Sequence, residues 1–177
     1  MFGSYGVEVL YSDSTTRVTS LYSLEGDINV TRTFAVVMYP STVDSALLDE
    51  HRTIINGGSI GQVFKDGGWT VHKRSIYMGE VAVTDGISEI YDMMGGIDPS
   101  VLALYMYQFS VEKEDEIYDY ATIAEIYHPS YLAYGDLRQI YTEVDDVLVN
   151  AQDVEPKLEA VHRFLSRNLM PIELLGQ

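Results

Sequence analysis

The stretch Ile28-Asn29-Val30-Thr31-Arg32-Thr33-Phe34-Ala35-Val36-Val37-Met38-Tyr39-Pro40 decides the fold. Its side chains divide with a period of two. One row holds Ile28, Val30, Arg32, Phe34, Val36 and Met38, and the other Asn29, Thr31, Thr33, Ala35, Val37 and Tyr39. The run is rich in β-branched residues, so it reads as a strand. Toward Pro40 both rows become apolar, and Pro40, which has no N–H to give to a ladder, ends the strand.

Toward the N-terminus, Glu25-Gly26-Asp27 marks a turn and Thr16 to Leu24 a second strand. Asp13-Ser14 marks another turn, and Val7 to Tyr11 a short strand before it. Toward the C-terminus, Ser41 or Thr42 offers an N-cap, with Asp44 in the first helical turn. Val43, Leu47, Leu48, His51, Ile54 and Ile55 follow at helical spacing, and Gly57-Gly58 closes that helix. A short second helix is expected over Ile60 to Lys65, before Gly67-Gly68.

A strand from Trp69 to Val83 comes next, then a short helix from Asp85 to Met94 and a strand from Val101 to Val111. Glu112 to Glu116 reads as a charged hairpin loop, and Ile117 to Tyr127 as the partner strand, stopped by Pro129. Beyond it the pattern is helical: Tyr131 to Tyr141, a stretch after Asp145-Asp146, and Val154 to Met170 with Leu158, Val161, Leu165 and Leu169 on one face. Without regular βαβ alternation, the order predicts an α+β fold, an antiparallel sheet with helices packed mainly on one face. The 177 residues read as a single domain, with a sheet-rich core over 1–130 and a helical C-terminal extension over 131–177.

The chain has no cysteine, which removes disulfides, thiolate metal sites and cysteine nucleophiles. Met1 to Val9 shows neither the basic nor the apolar region of a signal peptide, and no run is long and apolar enough to span a bilayer. A cytoplasmic location without membrane contact is expected. The net charge of −16 is uneven, with fourteen acidic against two basic side chains between Val83 and Gln152. Such a region repels phosphate backbones, so nucleic-acid binding there is not expected. It reads as a solvated face, or as a docking surface for a basic protein partner over 83–152.

The sequence holds no P-loop, no G-x-G-x-x-G, no H-E-x-x-H and no G-x-S-x-G. Gly57-Gly58-Ser59-Ile60-Gly61 follows a helix and lacks the phosphate-loop lysine, so it reads as a connector. The N–H groups of Gly58, Ser59 and Gly61 could still face a carboxylate or phosphate. His51, His72, His128 and His162 lie on separate elements without metal spacing, and neither a metal nor a cofactor is expected. Arg32 and Glu125 fall in apolar strand rows, where an ionised group is costly unless paired. They are a structural ion pair, groups turned to solvent, or parts of a polar pocket. Arg17 stands out as an arginine on a strand of ambiguous face.

Three segments resemble chorismate lyase and the related ligand-binding domains of GntR-type regulators. They are the strand-to-helix crossing Val36-Val37-Met38-Tyr39-Pro40-Ser41-Thr42, the turn Gly58-Ser59-Ile60-Gly61-Gln62-Val63-Phe64, and the late strand Ala124-Glu125-Ile126-Tyr127-His128-Pro129. The resemblance spans Arg17 to Pro129. In the lyases, a late glutamate and an early-strand arginine line a buried pocket where chorismate loses pyruvate to leave 4-hydroxybenzoate. By position these are Glu125, as the catalytic proton donor or base, and Arg17, as the carboxylate ligand.

The lyases' second arginine falls at Val36 here, and the nearest candidate, Arg32, is out of register. The region before Arg17 is shorter than in the lyases, and the helices after Pro129 have no counterpart there. The resemblance implies a small-molecule binding protein for an anionic, aromatic-carboxylate type of ligand, or a cofactor-free lyase. A non-catalytic acidic interaction domain is the third reading. The first two share one geometric expectation: Glu125 and at least one of Arg17 and Arg32 point into a common cavity.

Overall fold

A computed structural model describes residues 5–82, 92–96 and 101–141. Its order is β1 (Tyr5–Ser12), β2 (Thr16–Glu25), β3 (Ile28–Met38), a 3-10 turn (Ser45–Leu47), α1 (Leu48–Ile55) and α2 (Ile60–Asp66). There follow β4 (Thr70–Ala82), β5 (Val101–Lys113), β6 (Glu116–Tyr127) and α3 (Tyr134–Ile140). Most of the expected helix from Asp85 to Met94, the helix from Val154 to Met170, His162 and much of the acidic span lie outside the described residues.

All six strands join one antiparallel sheet in the order β1-β2-β3-β6-β5-β4. Two three-stranded meanders therefore meet at their third strands. Because side chains alternate across a strand, register sorts them into rows on each face. One row runs Arg17–Val37–Ile123–Tyr107–Ser75, and the next on the same face runs Thr19–Ala35–Glu125–Tyr105–Met78.

The three helices pack on that face, as the pattern predicts. Leu47 and Ile54 around α1, Phe64 of α2 and Leu137 of α3 are fully buried against Val37, Tyr107, Phe109 and Ile123. Phe64 is the main anchor, with its ring edge-on to Tyr120 at 4.8 Å and to Trp69 at 6.1 Å. The opposite face carries a second apolar cluster that includes Val18, Phe34, Val36, Met106, Ala124 and Ile126. That accounts for the two apolar rows near Pro40.

Two local expectations shift. Asp44 is the cap itself, accepting from the Ala46 N–H at 2.9 Å, so neither Ser41 nor Thr42 starts the helix. Glu112 to Glu116 is not a loop, since β5 runs to Lys113, β6 starts at Glu116, and only Glu114-Asp115 turn. The flanking charges are satisfied on the strands: Glu112 meets His72 at 2.6 Å, and Lys113 reaches the Gly67 carbonyl at 3.0 Å.

Glu114 and Asp115 have φ of 54° and 64°, the left-handed pair that a two-residue type I′ hairpin demands. Glu114 is poorly suited to it, because its Cβ crowds the following carbonyl, and Asp115 tolerates it less well than the glycine usual at the second position. Replacing the pair by Asn-Gly is expected to stabilise the chain by about 1 kcal/mol. The readout is a higher urea midpoint at unchanged slope.

Candidate functional site

Arg17 is the second residue of β2, opposite Val37, with its side chain on the helix-covered face. It is 1% exposed. Its Nη1 donates to the Gly58 carbonyl at 2.9 Å, whereas Nε and Nη2 are buried without a hydrogen-bond partner. No carboxylate forms an ion pair with it among the described residues.

The Gly58 carbonyl is held in place by the way α1 ends. Gly57 N–H bonds the Ile54 carbonyl at 3.0 Å, Gly58 N–H bonds the Thr53 carbonyl at 3.1 Å, and Gly57 has φ 109°. This is a Schellman stop, which consumes the Gly58 N–H and turns its carbonyl toward the sheet. The expectation that the Gly58 N–H faces an anion is therefore corrected. Gly58 offers an acceptor to Arg17, while Ser59 and Gly61 line the cavity beside it.

That cavity, about 280 Å³, lies between the sheet and the start of α2, and both Arg17 and Glu125 line it. Arg17 and Glu125 stand two strands apart with a two-residue offset, which places their backbones roughly 12 Å from each other. Glu125 is half-buried. It accepts from the Tyr107 hydroxyl at 3.0 Å on one oxygen and from the Tyr127 hydroxyl on the other. Burial, reinforced by the Glu125 charge, pushes both phenols well above their ordinary pKa, so they remain donors.

Arg32 is not part of this arrangement. Its register places it on the opposite face, where Nε donates to the Ser23 hydroxyl at 2.7 Å, Nη1 to the Ser130 hydroxyl at 3.3 Å, and Nη2 pairs with Glu25. Of the alternatives open for a charge in an apolar row, Arg32 takes the ion pair and Glu125 the polar pocket.

Two functional candidates escape the sequence reading. Lys65, at the end of α2, and Lys73, on β4, also line the cavity, and both are exposed. The Lys73 ammonium lies 4.3 Å from the centroid of the Tyr107 ring. Lys73 shares the strand row of Val71 and Ser75, a signal present in the alternation.

Behind Arg17, Tyr39 and Tyr120 pack ring to ring at 5.6 Å, and the Tyr120 hydroxyl meets His51 Nδ1 at 2.9 Å. Burial raises both phenols, and the nearby Arg17 charge offsets part of that rise. The Tyr39 hydroxyl is buried beside Arg17 and Tyr120, close enough for both to lower its pKa, though outside strict hydrogen-bond geometry. His128, on the other face, is fixed in one tautomer. Its Nδ1 accepts the Ser130 N–H at 3.0 Å, so the proton is on Nε2, 3.0 Å from the Met94 carbonyl. Among the described residues no group of His, Asp and Glu is placed to hold a metal, and no helix is long and apolar enough to cross a membrane. No family model matches this chain, and no curated protein matches it either.

A Cβ added at Gly58 would stand 2.8 Å from Val63 Cγ2 and 2.9 Å from the Thr53 carbonyl. The second of these atoms is backbone and cannot step aside. Gly58→Ala is therefore expected to cost about 1–3 kcal/mol in urea unfolding and to pull the connector off Arg17.

Burial holds the pKa of His51 and His128 below the ordinary value, with the Arg32 charge adding to the effect at His128. The unfolded chain takes up these protons below pH about 6.5, where the folded one resists. Their contribution is complete above that pH and is lost as pH falls through the depressed folded values. The urea midpoint should hold steady from pH 8 to 7 and decline below 6.5. His128→Gln should flatten part of the decline.

Proposed function

We propose that this chain binds a small anionic molecule, of the aromatic-carboxylate kind, in the cavity between the sheet and α2. The carrying observation is the Arg17 guanidinium, buried in the cavity wall with two donors and a full charge unanswered by any carboxylate among the described residues. An uncompensated buried cation costs several kcal/mol, and a carboxylate ligand would offset that with charge-assisted hydrogen bonds. The rest of the wall suits such a ligand, since Val37, Ile60, Phe109 and Ile123 supply apolar surface. The reading agrees with the resemblance to the regulators' ligand-binding domains.

The lyase reading stands second, favoured by Glu125 lining the same cavity as Arg17. Both oxygens of that carboxyl group are already engaged as acceptors of phenol hydrogen bonds, which leaves them poorly disposed for proton transfer with a substrate. Binding therefore ranks above turnover.

The test joins stability to binding. Titration with 4-hydroxybenzoate and other small carboxylates should raise the melting temperature of the wild-type chain. Arg17→Met should leave the free protein as stable, or up to about 2 kcal/mol more stable, while removing the response to carboxylates. If the variant instead loses several kcal/mol and still responds, Arg17 is a structural residue and the proposal fails. Loss of chorismate's ultraviolet absorbance on incubation with the wild-type chain would promote the second reading.

A further inference from the structure

We infer that the ligand is a two-ended anion, with one acidic group on Arg17 and the second at the cavity mouth between Lys65 and Lys73. The inference rests on the binding reading above and adds a subsite to it. The chain is short of cations, with 11 basic against 27 acidic side chains, yet three of the basic ones line this one cavity. Of the described basic groups outside the cavity, Arg52 pairs with Asp49, the buried Arg32 with Glu25, and Lys113 with the Gly67 carbonyl, while Arg74 on β4 is exposed and forms no ion pair among the described residues. Lys65 and Lys73 have no ion-pair partner among the described residues.

The two ends differ in character. Arg17 is buried at the floor, and the lysines are exposed at the rim. In register, the Tyr107 ring under Lys73 lies three strands from Arg17, roughly 14 Å between backbones. Both cationic side chains line the cavity between those ends, so the acidic groups they hold would stand closer together than the two backbones. The strand row between them is apolar or aromatic, from Val37, Ile123 and Tyr107, and the Glu125 carboxylate stands one row aside with its oxygens held by the Tyr107 and Tyr127 hydroxyls. A rigid, ring-sized body with an acidic group at each end spans that gap. A carboxylate or a phosphate could serve at the rim.

Calorimetric titration with benzoate, terephthalate and 4-phosphonobenzoate tests this on the wild-type chain, on Lys65→Gln/Lys73→Gln and on Arg17→Met. The expected result is about tenfold tighter binding of a two-ended probe than of benzoate, consistent with two exposed ion pairs. That advantage should vanish in the double lysine variant while benzoate binding stays unchanged, and Arg17→Met should lose all three probes. Stronger binding of the phosphonate than of terephthalate would assign a phosphate to the rim, and the reverse a carboxylate. Equal binding of benzoate and terephthalate, or an advantage that survives the lysine substitutions, overturns the inference and leaves the anion-binding reading intact. Failure of the wild-type chain to bind any of the three overturns both.

Discussion

The hydrogen bond from Arg17 to the Gly58 carbonyl joins the two layers where the site lies. It spans from a sheet strand to the connector between α1 and α2, and it exists because a helix stop turns one carbonyl toward the sheet. Two glycines make that stop, Gly57 through its positive φ and Gly58 through the lack of space for a Cβ. The cavity beside the bond is bounded by Ser59 and Gly61, so the backbone that receives the arginine also forms the cavity wall. The charge costs free energy in the empty protein, and the surrounding aromatic packing of Phe64, Tyr120 and Trp69 holds the arrangement against that cost.

Most of the sheet is legible in the sequence because period two and a stopping proline are local signals. Ile28 to Tyr39 and Ile117 to Tyr127 announce strands by alternation, and each ends within a residue or two of the structural boundary. What escapes is the chemistry of individual turns. Asp44 caps its own turn, and Glu114-Asp115 adopts a backbone conformation its composition does not favour, so charge alone marked a loop where strands continue.

The site was half legible. Glu125 was detectable as a charge in an apolar row, and the structure lines one cavity with it and Arg17. Arg32 gave the same signal, but parity places it on the other face from Arg17 and Glu125, and only register between strands reveals that. Lys65 left no signal, because an exposed lysine at a helix end is ordinary, and Lys73 showed only as one member of an alternating row on an edge strand. Their meaning comes from a non-local fact, the side-by-side placement of β4, β5 and β6.

The mirror-like strand order has a mechanical consequence. Among the described residues the two meanders pair as strands where β3 meets β6, over Thr33–Met38, whereas β5 and β6 pair along nearly their whole length. Closing that seam brings together residues roughly ninety positions apart, the most entropically demanding pairing in the sheet. Arg17 belongs to the first meander, and Glu125 and Lys73 to the second. An occupant of the cavity would act as a splint across the join, and slow hydrogen exchange along β3 and β6 would record its presence.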